Sequence, residues 1–127
     1  MREINMLKRA QLSGLLIKER SDKIYVVAAP HHAPIGQNRL PCNDHPDSDE
    51  GAGYVALDLA EKLNCHSIIA FNYFIDANKD RSTDYFRRIE RWNPVVLVEI
   101  HGHGKKMSFS ILRFLLVHLK IISGHVD

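Results

Sequence analysis

Cysteine is scarce in this chain of 127 residues: Cys42 and Cys65 are the only two, and they form no CxxC spacing. That excludes a disulfide scaffold and a finger built on paired cysteines, and it fits two reduced thiols in a cytoplasmic protein. Long hydrophobic runs are missing too. The stretch from Met1 to Ser21 mixes charge with short apolar pieces and carries no small-residue cleavage site, so it does not read as a signal peptide. The most apolar window, Ile111 to Ile122, is interrupted by Arg113, His118 and Lys120 and is too short to span a bilayer. No membrane partner is expected. Charge of one sign is equally absent, because Lys and Arg are interleaved with nearly as many Asp and Glu, for a formal net charge of +2. Such a mixed surface does not suggest nucleic acid. No internal repeat is visible.

What is present is a globular composition, 45% hydrophobic and 25% charged, long enough for one core. We read residues 1–127 as a single domain, with 1–22 as an N-terminal extension and 107–127 as an atypical tail. Lys23 to Ala29 (KIYVVAA) is a β-branched run closed by Pro30, which denies the next ladder hydrogen bond and places His31 and His32 just past a strand end. Ala33 to Gly51 is rich in Pro, Asn, Asp and Gly and reads as a long loop, a class that is usually functional or mobile. Val55, Leu59 and Leu63 recur at i, i+4 and i+8 beside Ala52, Ala56 and Ala60, which predicts an amphipathic helix ending near Asn64. Ser67 to Phe71 is a second strand. A capped helix starts near Ser82 with Tyr85, Phe86 and Ile89 on its inner face, and Val95 to Ile100 (VVLVEI) is the most apolar strand, expected at the sheet centre. Strand, helix, strand, helix, strand makes a largely parallel, mixed α/β sheet flanked by helices the expected fold.

Two of these strands run into histidines, one at His31-His32 and the other at His101-Gly102-His103-Gly104. In open α/β sheets, ligands gather at the carboxyl ends of strands, so the two pairs can face one crevice. Neutral imidazole suits zinc, and a catalytic zinc takes about three protein ligands and keeps one position for water. A carboxylate would complete the set, and the intervening loop offers Asp44, Asp47, Asp49 and Glu50. Taken singly, each histidine reads more simply as a loop or supporting residue; it is the two pairs together that point to a metal. The glycines at 102 and 104 suit close backbone approach to a ligand, or merely turn the chain.

The succession APHHAPIG, then SDE before a helix, then IDANK, then EIHGHG resembles the N-formylglutamate amidohydrolase-like group, itself similar to zinc carboxypeptidases. The resemblance spans Tyr25 to Gly104. It implies a phosphorylase/hydrolase-like fold, a Zn2+ ion held by His31, Glu50 and His101, and a metal-activated water attacking an amide or peptide bond near a free carboxylate of a small molecule or peptide. Asp49 competes with Glu50 for the acidic position, and His32 and His103 become supporting candidates beside the ligands. Asn78 and Lys79 fall where the group grips the substrate carboxylate. Lysine stands there in place of arginine and cannot offer the bidentate fork, so the substrate is left open.

The resemblance also implies a carboxylate general base on a later strand, and beyond Lys106 the chain has no glutamate; its only acid there is Asp127. From Met107 the composition changes to a dense apolar tail. Lys105-Lys106-Met107 can be encoded AAA AAA ATG, a run in which a base is easily gained or lost. In the shifted frame, synonymous codons for Ser110 to Leu116 permit Asn-Ile-Glu-Ile-Ser-Ser-Gly, which supplies the glutamate on a strand. The expectation is a hydrolase whose C-terminal part is incomplete and whose base is lost. The alternatives are a non-catalytic metal-binding domain, a genuine apolar C-terminal element, and a nucleic-acid module using Lys79, Arg81, Arg87, Arg88 and Arg91. Asp80, Asp84 and Glu90 interleave with those cations, which makes a solvated helix face the simpler reading.

Overall fold

A computed structural model describes residues 3–102 and the backbone of 115–121. The elements in chain order are α1 (Glu3–Leu7), β1 (Gly14–Lys18), β2 (Asp22–Ala33), β3 (Asp49–Glu50), α2 (Ala52–Leu63), β4 (Cys65–Phe71), α3 (Asp84–Trp92), β5 (Val96–Gly102) and β6 (Leu115–Ile121). The strands form one mixed, mostly parallel open sheet in the order β1-β4-β2-β5-β6, with β3 added beside β2. β2 is parallel to β4, β5 and β3, while β1 and β6 run antiparallel to β4 and β5 respectively. No helix among the described residues is long and apolar enough to cross a membrane.

The period-2 pattern of the strands sorts their side chains onto two faces. Val27, Ala29, Ile69, Phe71, Val98 and Ile100 pack with Ala52, Ala56 and Ala60 of α2 on one face. Val26, Ala28, Ile68, Ala70 and Leu97 pack with Tyr85 and Ile89 of α3 on the other. Two layers of helix therefore cover β2 from both sides. Thr83 caps α3 by accepting the Phe86 N–H at 3.1 Å, so the helix begins at Asp84, two residues after the expected Ser82, which is itself bonded to Asp80.

Three local expectations change. The strand does not stop at Pro30 but runs on to Ala33, because the pairing of β2 with β4 shifts register between Ala29 and His32 and the missing proline N–H falls in that irregularity. His31 and His32 thus lie on the strand and point to opposite faces. In α2 the alanines are buried, whereas Val55 is exposed and Leu59 and Leu63 are half-buried. Small side chains let the helix axis lie close to the sheet, and the leucines flank that contact. Residues 14–18, read as part of an extension, form the antiparallel edge strand. The atypical tail lies outside the described residues except for the backbone of β6.

The start of α2 depends on a tertiary cap. Gly51 offers no capping side chain, and the helix donors would be left unpaired in the buried interior. His32 supplies the acceptor: its Nδ1 takes the Gly53 N–H at 2.8 Å, and its Nε2 donates to the Leu7 carbonyl at 2.9 Å. Burial holds this ring neutral, pulling its pKa down to about 4, although the Leu7 bond opposes that. Gly53 must be glycine for the same reason, since a Cβ there would sit 2.8 Å from His32 Nδ1 and 2.9 Å from Ile69 Cγ2. We predict that Gly53→Ala destabilises the protein by about 1–3 kcal/mol, the usual cost of overpacking. Urea unfolding would measure it, and an unchanged midpoint would refute the close-packing account.

Candidate metal centre

His31, at the carboxyl end of β2, points to the face opposite His32 and is buried. Its Nε2 lies 2.8 Å from Asp76 Oδ1, in the loop that follows β4. An ionised carboxylate can only accept, so this contact places the proton on Nε2 and turns the Nδ1 lone pair away from Asp76. That Nδ1 is buried with no hydrogen-bond partner among the described residues. Facing it at 3.5 Å is Asp49 Oδ2 of β3, also buried and without a hydrogen-bond partner among the described residues. His101, near the end of β5, brings its Nδ1 to 3.3 Å from the same oxygen, a charge contact that lacks the alignment of a hydrogen bond.

One ligand atom from each of His31, Asp49 and His101 lies within 4.8 Å of the others, and this buried group could hold a metal ion. The distances fit one. Metal bonds of 2.0–2.1 Å in tetrahedral geometry separate adjacent ligand atoms by about 3.3–3.4 Å, close to the 3.3 and 3.5 Å found around Asp49 Oδ2. Each histidine is backed by a carboxylate. Asp76 holds His31, and Glu99 lies two residues before His101 on the same strand face, with Oε1 3.9 Å from His101 Nε2. Glu99 is itself fixed by the Tyr85 hydroxyl, which donates to Oε2 at 2.8 Å across the α3 face. Such outer carboxylates orient a ligating imidazole and raise its basicity.

The charges of the group are coupled. The contact with Asp49, followed by that with Glu99, lifts His101 to about 9 against the effect of burial. Burial opposes charge on Asp49, but His101, His31 and the Gly102 N–H together outweigh it and bring the carboxyl down to about 2. Gly102 reaches Asp49 because it lacks a side chain; a Cβ would stand 3.1 Å from Asp49 Cα and Oδ1.

Of the residues singled out in the sequence, His31, His101 and Asp49 come together. Glu50 pairs in β3 with Ala33 and its Oε2 accepts the Gly36 N–H at 3.3 Å, so the compact group contains Asp49 and not Glu50. His32 spends both ring nitrogens on backbone groups of α1 and α2. Asn78 is half-buried, two residues beyond Asp76, with its Oδ1 buried and unpartnered among the described residues, and Lys79 is exposed. His103 lies outside the described residues. Sequence reasoning missed Asp76 and Glu99 as supports for the histidines, although Glu99 carries a signal in its i, i+2 spacing from His101 on a strand. It also missed His45, whose ring stacks on His31 with centroids 3.6 Å apart and planes 5° from parallel. Only the folded loop brings that residue near.

No protein-family model matches this chain, and neither a curated protein nor a solved structure matches it.

The metal-free ion pair makes stability depend on pH in a defined direction. The folded pKa of His101, about 9, lies above its ordinary 6.5, so its contribution is full below pH 6.5 and is lost as pH rises through 9. Asp49 is depressed from 3.8 to about 2, so its contribution is present above pH 3.8 and is lost as pH falls through 2. These are two ends of one interaction. Urea unfolding in chelator is therefore expected to give a maximum between about pH 4 and 6.5 and a decline toward pH 9. Asp49→Asn should flatten that alkaline decline; an unchanged slope would remove the pair as its source.

Proposed function

We propose that this chain is a hydrolase-type protein that binds one divalent metal, zinc by preference of its two-imidazole, one-carboxylate donor set. The target would be an amide or peptide bond near a free carboxylate, as the resemblance to the N-formylglutamate amidohydrolase-like group implies. The observation that carries the reading is the convergence of His31 Nδ1 and Asp49 Oδ2, which have no hydrogen-bond partner among the described residues, with His101 Nδ1 in one buried group. When bound, such a metal supplies Lewis acidity for a carbonyl and a water of lowered pKa. The chain's own part is to hold the donors: Asp76 and Glu99 fix the imidazoles, and Gly102 lets β5 approach Asp49. Three protein ligands leave a position for water or substrate. Asn78, with its buried and unpartnered amide oxygen, and Lys79 are the substrate-side residues in this proposal.

The general base is the part we assign to the shifted reading frame after Lys106. On this proposal the present chain binds metal with little turnover.

Metal-stripped protein titrated with zinc is expected to bind one ion per chain. His31→Ala, Asp49→Asn and His101→Ala should each weaken binding by more than about 100-fold, beyond the 10–100-fold typical of supporting residues. Glu50→Gln should bind within about threefold of the parent if Asp49 is the acidic ligand. Full binding by all three ligand variants, with folding verified by circular dichroism, would eliminate the site. Hydrolysis of N-formyl and other N-acyl amino acids tests the chemistry separately. A gene with the adenine run corrected should give a product faster by about 10²–10⁴-fold, the usual contribution of a general base. Zinc binding without turnover in both products would leave a metal-binding domain and overturn the hydrolase.

A further inference from the structure

The second region that invites a ligand lies away from the metal group, where α3 overhangs the edge of the sheet. β1 is the terminal strand in the sheet order, and no described strand pairs with its outer side. An unpaired edge presents a row of backbone donors and acceptors. Next to it is a cavity of about 350 Å³ whose floor is Leu15 and Ile17, alternate residues of β1 on the α3 face, and whose wall is Asp84, Arg87, Arg88 and Arg91 of α3. Leu15 and Ile17 are only half-buried. None of the three arginines makes an ion pair with a described residue within 4.0 Å. Arg88 instead rests over the Trp92 ring at 5.7 Å, and Glu19, which accepts the Trp92 indole N–H, lies within electrostatic reach of Arg88 and Arg91. Three arginines against one aspartate leave the wall cationic.

We propose that β1 is a docking edge for an extended acidic segment of a partner polypeptide, which adds to the sheet as a further strand beside the arginines. Main-chain bonds to the edge would give the affinity, and side chains at alternate positions would give the selectivity. The spacing supports this occupant. A two-residue step along a strand advances about 6.6–6.8 Å, and the four-residue step from Arg87 to Arg91 advances about 6 Å along the helix. Carboxylates at every second position of an added strand can therefore keep pace with two arginines, each a bidentate partner for a carboxylate. The remaining contact is apolar, against Leu15 and Ile17. A second copy of this chain offers its own arginines at that edge and is disfavoured by like charge.

The probe is a seven-residue peptide alternating glutamate and valine with blocked ends, titrated into the full chain and followed by amide chemical shifts and calorimetry. Expected are saturable shifts at Gly14 to Lys18 and a dissociation constant weakened at least tenfold in an Arg87→Glu, Arg91→Glu double variant. Zinc uptake should be unchanged in that variant, which serves as the control for folding. A peptide methylated on alternate amide nitrogens, with the same charge but no donors for the edge, should also lose at least tenfold. Absence of binding, or equal binding by the lysine-valine peptide, would overturn the proposal. Equal binding by the methylated peptide, or displacement by single-stranded DNA at matched charge, would do so as well, since either would mark a non-specific anion site.

Discussion

Two adjacent imidazoles leave the central strand in opposite directions, and burial places on each of their four ring nitrogens an obligation to be partnered, which three of them meet by hydrogen bonds among the described residues. The rest of the architecture follows from how that obligation is met. On one side His32 spends both nitrogens on backbone groups, tying α1 and the start of α2 to β2. On the other side His31 has one nitrogen held by Asp76 and the other aimed at Asp49. An unsatisfied buried polar group costs about 1–3 kcal/mol, so neither arrangement is incidental. The strand irregularity at Pro30 matters here because it lets the chain remain extended through both histidines instead of turning away before them.

The carboxylate beside the histidines is Asp49 because of its contacts with Gly102, His31 and His101. β3 is a two-residue strand that joins β2 in parallel, pairing His32 with Asp49 and Ala33 with Glu50. Neighbouring residues on a strand point to opposite faces, so only one of two adjacent acids can enter the group. Asp49 is drawn in by the Gly102 N–H and by both histidines, while Glu50 is engaged by the Gly36 N–H in the loop. A frame of two acids in sequence contains no information about which of them faces inward until the contacts of β3 with β5 and with the loop at Gly36 are known.

Much of the sheet is legible in the sequence because its signals are local. KIYVVAA, SIIAF and VVLVEI are apolar and β-branched, and the segments between them carry helix periodicity and a Thr cap. His31 and His101 are legible as strand-end residues for the same reason. Asp76 is harder to read, since its role arises across the turn after β4, and the stacking of His45 depends on how a long loop packs. The burial of alanines in place of the Val55, Leu59 and Leu63 stripe reflects a tertiary choice: the close approach of α2, made possible by Gly53 and enforced by His32. Propensity and period cannot see which stripe of a helix will be allowed nearest to the sheet.

A divalent cation bound as proposed would be the rival of a proton for the space between Asp49 and the histidines, and the two occupants would solve the same electrostatic problem differently. A proton on His101 answers the charge of Asp49, which is why the imidazole is raised to about 9. It does not answer His31 Nδ1, and it leaves Asp49 Oδ2 without an aligned donor. Taking charges out of water is costly unless the remaining lone pairs are also met. A cation would meet all three donor atoms at once, with the two separations from Asp49 Oδ2 close to the edge of a tetrahedron, and would have to displace the His101 proton to do so. Affinity for metal should therefore rise with pH up to about 9, over the range in which the metal-free fold grows weaker. The instability of the proton-bound group at high pH and the proposed attraction of the site for metal would have one origin: a buried carboxylate facing two imidazole nitrogens, with only one proton to satisfy them.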